Sequence, residues 1–298
     1  MDSVPQVAGR VGTTLFSDAA CPWAYSAAPA LRVLEWRYGE QLEWRLVLIG
    51  LTERAEQYVE RGYTPLRSAL GYASRFRRYG MPFSPEPRAR VIGTGRACRA
   101  VVATRILEPG NAWAVFRCLQ FAWFTTTLLL DEDAAIREAL LKVPGIDADG
   151  IVAILDRQDV VDAYERDRAE ARTAAGSATE FQGKAAATDG PVRYTAPSII
   201  FEQDNTRLEA GGFQPVEAYD VVIANLDPTL QRQPPPQTPE PLLERFPLGL
   251  TTQEVAACLA QNNDPPDRQA AESALLELVA DQKAHRHPLG DDAIWTRS

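Results

Sequence analysis

The stretch Thr13-Thr14-Leu15-Phe16-Ser17-Asp18-Ala19-Ala20-Cys21-Pro22-Trp23-Ala24-Tyr25 joins a short β-prone run to the start of an apolar helical pattern, and a cysteine stands at the junction. A cysteine so placed caps the helix, where free backbone N–H groups and the positive end of the helix dipole favour a thiolate over a thiol. Cys21 is therefore the expected reactive atom. In a Cys-x-x-Cys redox pair a second sulfur three residues on would attack the mixed disulfide formed by the first, but position 24 is alanine. Whatever Cys21 does, it does without a neighbouring resolving cysteine.

Outward from this junction, apolar residues recur at Ala27, Ala30, Leu31, Leu34 and Tyr38, the spacing of one helix face, up to Gly39. In Leu42 to Ile49 alternation gives way to a continuous apolar run, as in a strand buried on both faces. The opening is thus a βαβ unit. From about Glu53 to about Gly176 the pattern is helical, with helices expected over Glu53 to Arg61, Leu66 to Tyr79, Gly93 to Leu107, Ala112 to Leu130, Glu132 to Leu141 and Asp149 to Thr173. The apolar stretch from Ala112 to Leu130 is about long enough to span a membrane, but Arg117, Gln120 and three successive threonines argue for a buried helix. Gly176 to Arg193 reads as a long loop, a candidate lid. The β pattern resumes at Ser198 to Glu202, turns at Gln203-Asp204-Asn205, continues through Arg207 to Ala210 and ends at Gly211-Gly212; a helix with Val216, Tyr219, Val222, Ile223 and Leu226 follows.

Residues 231–241 are proline-rich and read as a stiff linker or strap. Beyond them, helices at Thr252 to Gln261 and Asp267 to Gln282 and a hairpin over Ala284 to His287 and Ala293 to Thr296 are in the order of a winged helix-turn-helix. From Glu240 to Ser298 acidic residues outnumber basic ones, which argues against DNA binding; packing on the main domain or homodimerisation remains for this appendage.

With 298 residues, 45% of them apolar, the chain can bury a full core, and a formal charge of −9 argues against a nucleic-acid surface. Small molecules or proteins are the expected partners. Met1 to Arg10 hold no apolar leader run, so a cytoplasmic protein is expected, with no membrane attachment. Cys21, Cys98, Cys118 and Cys258 have no short spacing, which fits neither a zinc site nor a disulfide framework; Cys98 and Cys118 lie in apolar helical patterns as packing residues. His285 and His287, the only histidines, lack further ligands at useful spacing, so no metal is expected and no histidine base lies near Cys21.

A strand leading to Cys-Pro-Trp-x-Tyr on a helix, a helical insertion, and a later x-Pro before a strand together resemble the thioredoxin-like family of DsbA oxidoreductases, over about Thr13 to Pro228. The resemblance implies an α/β thioredoxin-like fold over 11–230, with a helical insertion at about 53–176, then the linker 231–241 and the winged-helix-like unit 242–298. In that family a cis-proline loop lies against the reactive cysteine. Its counterpart here is Tyr194-Thr195-Ala196-Pro197, so Pro197 is expected cis, with the Ala196 backbone pairing with a bound thiol or peptide and Thr195 close by. Pro22, Trp23 and Tyr25 flank the cysteine as candidate walls of the groove. Kappa-class glutathione transferases and 2-hydroxychromene-2-carboxylate isomerases share the insertion architecture and carry a serine at the position of Cys21, which binds a thiol cofactor.

Two mechanisms follow from the resemblance. Cys21 attacks a disulfide and the mixed disulfide is resolved by glutathione or mycothiol, neither tightly bound; or Cys21 holds the sulfur of a thiol cofactor in isomerase or transferase chemistry. A non-catalytic binding or scaffold role is the third reading. Phe76-Arg77-Arg78-Tyr79 with Arg75 could bind an anionic cofactor carboxylate, and Lys184 a substrate carboxylate, but a solvated helix face and an exposed lysine are the commoner meanings of such charges.

Overall fold

The computed structural model describes residues 10–262 and 264–298. The absence of a leader run in Met1 to Arg10 thus concerns residues that, Arg10 apart, lie outside the described ones. The chain opens with β1 (Val11–Ser17), α1 (Pro22–Ser26), α2 (Ala28–Tyr38) and β2 (Leu42–Leu48). Gly39, at φ 54°, ends α2 in a conformation that costs glycine little.

The insertion contributes α3 (Ala55–Glu60), α4 (Pro65–Gly71), α5 (Gly95–Leu107), α6 (Ala112–Thr125), α7 (Asp133–Leu140), α8 (Ala148–Ala153) and α9 (Gln158–Ala171). After it come α10 (Ala178–Phe181), β3 (Ala185–Ala186), β4 (Arg193–Tyr194), β5 (Ser198–Gln203), β6 (Thr206–Ala210) and α11 (Val216–Leu226). Strands β2, β1, β5 and β6 form a sheet in that order, β1 parallel to β2 and the other pairs antiparallel, with Leu15 opposite both Leu46 and Ile199. This is the α/β thioredoxin-like arrangement with a helical insertion.

Strand alternation divides the sheet between two cores. Val11, Leu15, Leu46, Leu48, Ile199 and Phe201 enter the large core with α2, α5 and α6, while Phe16, Val47, Ile49 and Ile200 enter a small cluster that includes Cys21, Ala24, Tyr194 and Ala196. Buried Asp167 of α9 fastens the insertion to the sheet: it accepts from Leu48 N at 3.0 Å and from Arg105 at 2.9 Å.

Several expected helices are shorter or divided. The pattern over Leu66 to Tyr79 is α4 followed by a π-helical turn at Tyr72–Phe76 and a 3-10 turn at Arg77–Tyr79. The helix expected to Leu130 stops at Thr125, where the Thr125 and Thr126 hydroxyls turn back on the carbonyls of Phe121 and Ala122, both at 2.7 Å. The helix expected over Asp149 to Thr173 breaks between α8 and α9, where Asp156 is drawn to Arg96 and Arg99 of α5. Residues 176–193 are not a bare loop but hold α10 and the β3–β4 ribbon. Among the described residues no helix is long and apolar enough to cross a membrane.

The proline-rich segment is a strap rather than a free linker. Trp36 donates to Pro234 O at 2.8 Å, Gln233 N to Arg37 O at 2.8 Å, and Arg232 pairs with Asp220 at 2.6 Å, so the segment lies against α2 and α11. Beyond it are α12 (Glu240–Arg245), β7 (Leu250–Thr251), α13 (Thr252–Leu259), α14 (Arg268–Ala280), β8 (Ala284–Leu289) and β9 (Asp292–Arg297), the strands ordered β7-β9-β8. This part packs on the main domain: Val33 and Trp36 of α2 complete its core around Trp295, Leu242 and Leu275. Glu254, fully covered, and Arg117, largely covered, add an ion pair across the same contact, at 2.5 and 2.7 Å.

Candidate functional site

The turn between β1 and α1 is held by Asp18, whose carboxylate accepts from Ala20 N at 2.8 Å, Leu51 N at 2.8 Å and the Thr94 hydroxyl at 3.1 Å. Its burial raises the pKa of that carboxyl despite these donors. The turn sets Cys21 in extended geometry at the cap of α1, beside the segment before β5. There the Ala196–Pro197 peptide bond is cis, and the Cys21 thiol donates to Ala196 O at 3.1 Å.

Cys21 is only 5% exposed, and this decides its resting state. Burial pushes its pKa up to about 12: withdrawal from water outweighs the backbone N–H groups of Ala24 and Trp23 and the positive charge of Arg193, while Asp18 adds repulsion. The helix cap does supply the expected donors, but burial outweighs them and favours the thiol. Alkylation of Cys21 by iodoacetamide, followed by mass spectrometry, is accordingly expected to rise with pH past the free-thiol midpoint of about 8.5. A midpoint below that of a free thiol would contradict this account of the resting site.

A cavity of about 810 Å³ opens beside the sulfur, lined by Pro22, Trp23, Thr195 and Ala196 among others. Thr195 donates to Lys184 O at 2.6 Å, so it is the Lys184 backbone that meets the proline loop. Trp23, 40% exposed, packs edge-on against Phe76 at 4.9 Å and lies near Tyr79 and Phe213, forming an aromatic wall. Tyr25 is not part of the groove. It is 1% exposed, stacks on Phe124 at 4.6 Å and donates to Pro82 O at 2.9 Å, because helix periodicity turns it away from Trp23 into the core.

The wall is braced from behind by the C-terminal part of the chain. Phe83 N donates to Asp291 at 2.8 Å, Asp291 N to Phe83 O at 3.2 Å, and Arg77 pairs with Asp291 at 2.5 Å. Gly80 has φ 84° and sits under Gln253, where a Cβ would fall 2.0 Å from Gln253 Oε1. The segment carrying Tyr79 is thus clamped between α1 and the β8–β9 turn.

Apart from Arg75, sequence reasoning missed the arginines on the cationic side of this cavity. Arg61, Arg67, Arg88, Arg90 and Arg193 line it, as does Arg75, for which the sequence offered an anionic ligand only as the less common reading beside a solvated helix face; of its neighbours, Arg77 pairs with Asp291 and Arg78 lies over Tyr79. The available signals were the arginine-rich stretch from Arg54 to Arg90 in an acidic chain and the position of Arg193 immediately before the proline loop. The other sulfurs do not line the cavity: Cys98 and Cys258 are buried and Cys118 donates to Ala139 O at 3.0 Å.

A family model described as the DSBA-like thioredoxin domain matches residues 14–175. Among solved structures, one from Nitrosomonas europaea, provisionally named a protein disulfide isomerase, is similar with a TM-score of 0.55 at 16% identity, covering 72% of this chain and 97% of its own. A probable DsbA oxidoreductase from Streptomyces coelicolor is similar with a TM-score of 0.54 at 17% identity, covering 74% of this chain and 91% of its own. No curated protein matches the sequence.

Proposed function

The chain belongs to the DSBA-like thioredoxin domain family, a family of thiol-disulfide oxidoreductases, and from that premise we propose that it catalyses exchange through Cys21 alone, with a low-molecular-weight thiol as the resolving partner. The Cys21 sulfur attacks one sulfur of a bound disulfide, forming a protein mixed disulfide and releasing the other sulfur as a thiolate, which takes up the Cys21 proton. A second small thiol then attacks the mixed disulfide, leaves with the first half as a new disulfide and returns Cys21 to the thiol. One disulfide is consumed and one is formed, so electrons balance.

The observation that carries this reading is that Cys21 is the only one of the four sulfurs at the cavity, and Ala24 is buried behind it. A mixed disulfide formed there has no internal thiol to resolve it. Glutathione and mycothiol are the thiols this proposal names, and the setting is a reducing compartment such as the cytoplasm, where free cysteines persist. The winged-helix-like unit 242–298 serves in this proposal as a brace for the aromatic wall. The reading is tested by incubating the protein with a small disulfide and measuring intact mass. One adduct on Cys21, removed by added thiol, is expected; an unmodified Cys21 would reject the proposal.

Ala24→Cys supplies the missing partner. After mild oxidation this variant is expected to lose two titratable thiols and to resolve its own mixed disulfide without added thiol. An unchanged thiol count would show that the site does not bring positions 21 and 24 together.

A second reading is favoured by the raised pKa of Cys21. A thiol that stays protonated is a hydrogen-bond donor, suited to holding the sulfur of a thiol cofactor for isomerase or transferase chemistry. A serine in its place would do the same, which separates the two readings.

A further inference from the structure

We propose that the arginine-lined recess beside Cys21 is a binding site for polyanions of small-molecule size, selecting a thiol or disulfide that carries two or more negative charges away from its sulfur. The thiol part of this statement rests on the exchange reading above; the anion part rests on the arginines.

The chain carries a net −9, yet the wall of this one cavity holds Arg61, Arg67, Arg75, Arg88, Arg90 and Arg193 against a single carboxylate, Glu86. Three separate segments supply them: the α3 to Phe76 region, the extended stretch 80–92, and β4 beside the proline loop. Elsewhere among the described residues most arginines are matched by acids, as in Arg45 with Glu170, Arg137 with Asp149 and Arg157 with Asp159, although Arg54, Arg166 and Arg245 are not and Arg78 and Arg286 lie over aromatic rings. In the recess most are not. Arg61 donates to Thr188 O at 3.2 Å and Arg67 to Gly62 O at 3.2 Å, while Arg88 donates to the carbonyls of Trp123 and Leu128. Carbonyls satisfy N–H groups but leave the charge uncompensated. Among the described residues Arg75 has no ion pair, and Arg90 alone is fully matched, by Asp131 and Glu132.

Arg193 links this charge to the sulfur. It is 6% exposed, lies 3.4 Å from Asp189, and its buried Nε has no hydrogen-bond partner. One of its terminal nitrogens reaches the Thr188 hydroxyl at 3.3 Å, and Arg61 holds the Thr188 carbonyl, so Thr188 joins two of the guanidinium groups. Guanidinium forks match carboxylate and phosphate oxygens two at a time, and several of them in one recess favour ligands with several such groups. The cavity, at about 810 Å³, is of small-molecule size. Cys21, only 5% exposed, is among the residues that line this cavity, so a ligand held in the recess lies beside the sulfur.

The test uses the full chain carrying Cys21→Ser, so that binding is measured without chemistry, by calorimetric titration with glutathione disulfide, coenzyme A and the uncharged thiol pantetheine. At least one anionic probe is expected to bind about tenfold or more tightly than pantetheine, and to weaken about tenfold with Arg67→Gln plus Arg75→Gln, two exposed positions without ion pairs. Tighter binding of glutathione disulfide identifies carboxylates as the recognised groups; tighter binding of coenzyme A identifies phosphates. Equal or tighter binding of pantetheine, or affinities untouched by the arginine substitutions, overturns the proposal. The exchange reading fails separately: anions would then bind to the serine variant while the wild-type protein forms no mixed disulfide with glutathione disulfide.

Discussion

Cys21→Ser is expected to abolish mixed-disulfide formation and to slow thiol-disulfide exchange by at least about a thousandfold, since the variant loses the only sulfur at the cavity and nothing replaces a nucleophile. A hydroxyl is a far weaker nucleophile than a thiol at the same place, and no neighbouring base activates it: the only histidines, His285 and His287, are exposed on β8. The fold is expected to survive, because the small cluster around Phe16, Val47 and Ile200 loses only a sulfur-to-oxygen exchange and Ala196 O can accept from either group. Far-UV circular dichroism and turnover of a small disulfide measure the two parts. Retained turnover with an intact fold would remove the exchange reading and favour the one in which position 21 donates a hydrogen bond to a bound thiol.

Glu254→Ala is expected to cost about 3–5 kcal/mol of stability, the range for breaking a buried ion pair by removing one partner. Glu254 is fully covered, accepts twice from Arg117, and closes the capping box of α13 through Thr251. Removing it leaves the largely covered Arg117 guanidinium with Gly249 O as its remaining acceptor at 3.0 Å and without its paired carboxylate. The double variant Glu254→Leu with Arg117→Met is expected to recover most of the loss, because apolar groups can fill the space. Burial alone would raise the Glu254 pKa, but Arg117, Arg32 and the Thr251 N–H hold it below the ordinary carboxylate value. Its contribution is therefore present above that ordinary value and lost as pH falls through and below it. Urea titrations at neutral pH and at about pH 4 should show the gap between wild type and Glu254→Ala narrowing in acid. A constant gap would mean that the pair is not what stabilises the contact.

Much of the fold was legible because local patterns agree with it. Thr13 to Ser17 leads into a proline-started helix, Leu42 to Leu48 repeats the strand signal, and Asp204 with Asn205 turns the β5–β6 hairpin. The division of Leu66 to Tyr79 into three kinds of turn was not legible, since apolar spacing records a helical face and not the hydrogen-bond pitch beneath it. Nor was the burial of Tyr25, which depends on Phe83 and Phe124 arriving from the insertion. The path of Gln231 to Pro239 is set by carbonyls and N–H groups offered by α2, a partner that composition does not name. The cationic recess was the largest omission: its arginines are scattered along the chain from Arg61 to Arg193, and only the tertiary fold brings them to one wall. The thiolate expectation failed for a related reason. A helix cap is visible in sequence, but the loss of water around Cys21 depends on Ala196 and the rest of the fold.

The hold of Asp291 on Phe83 spans 208 positions of the chain. During synthesis, β1, Cys21 and the insertion are all made before the β8–β9 turn. A nascent chain therefore has its reactive sulfur before the aromatic wall beside it is secured, and the cleft is among the last parts of the molecule to be completed.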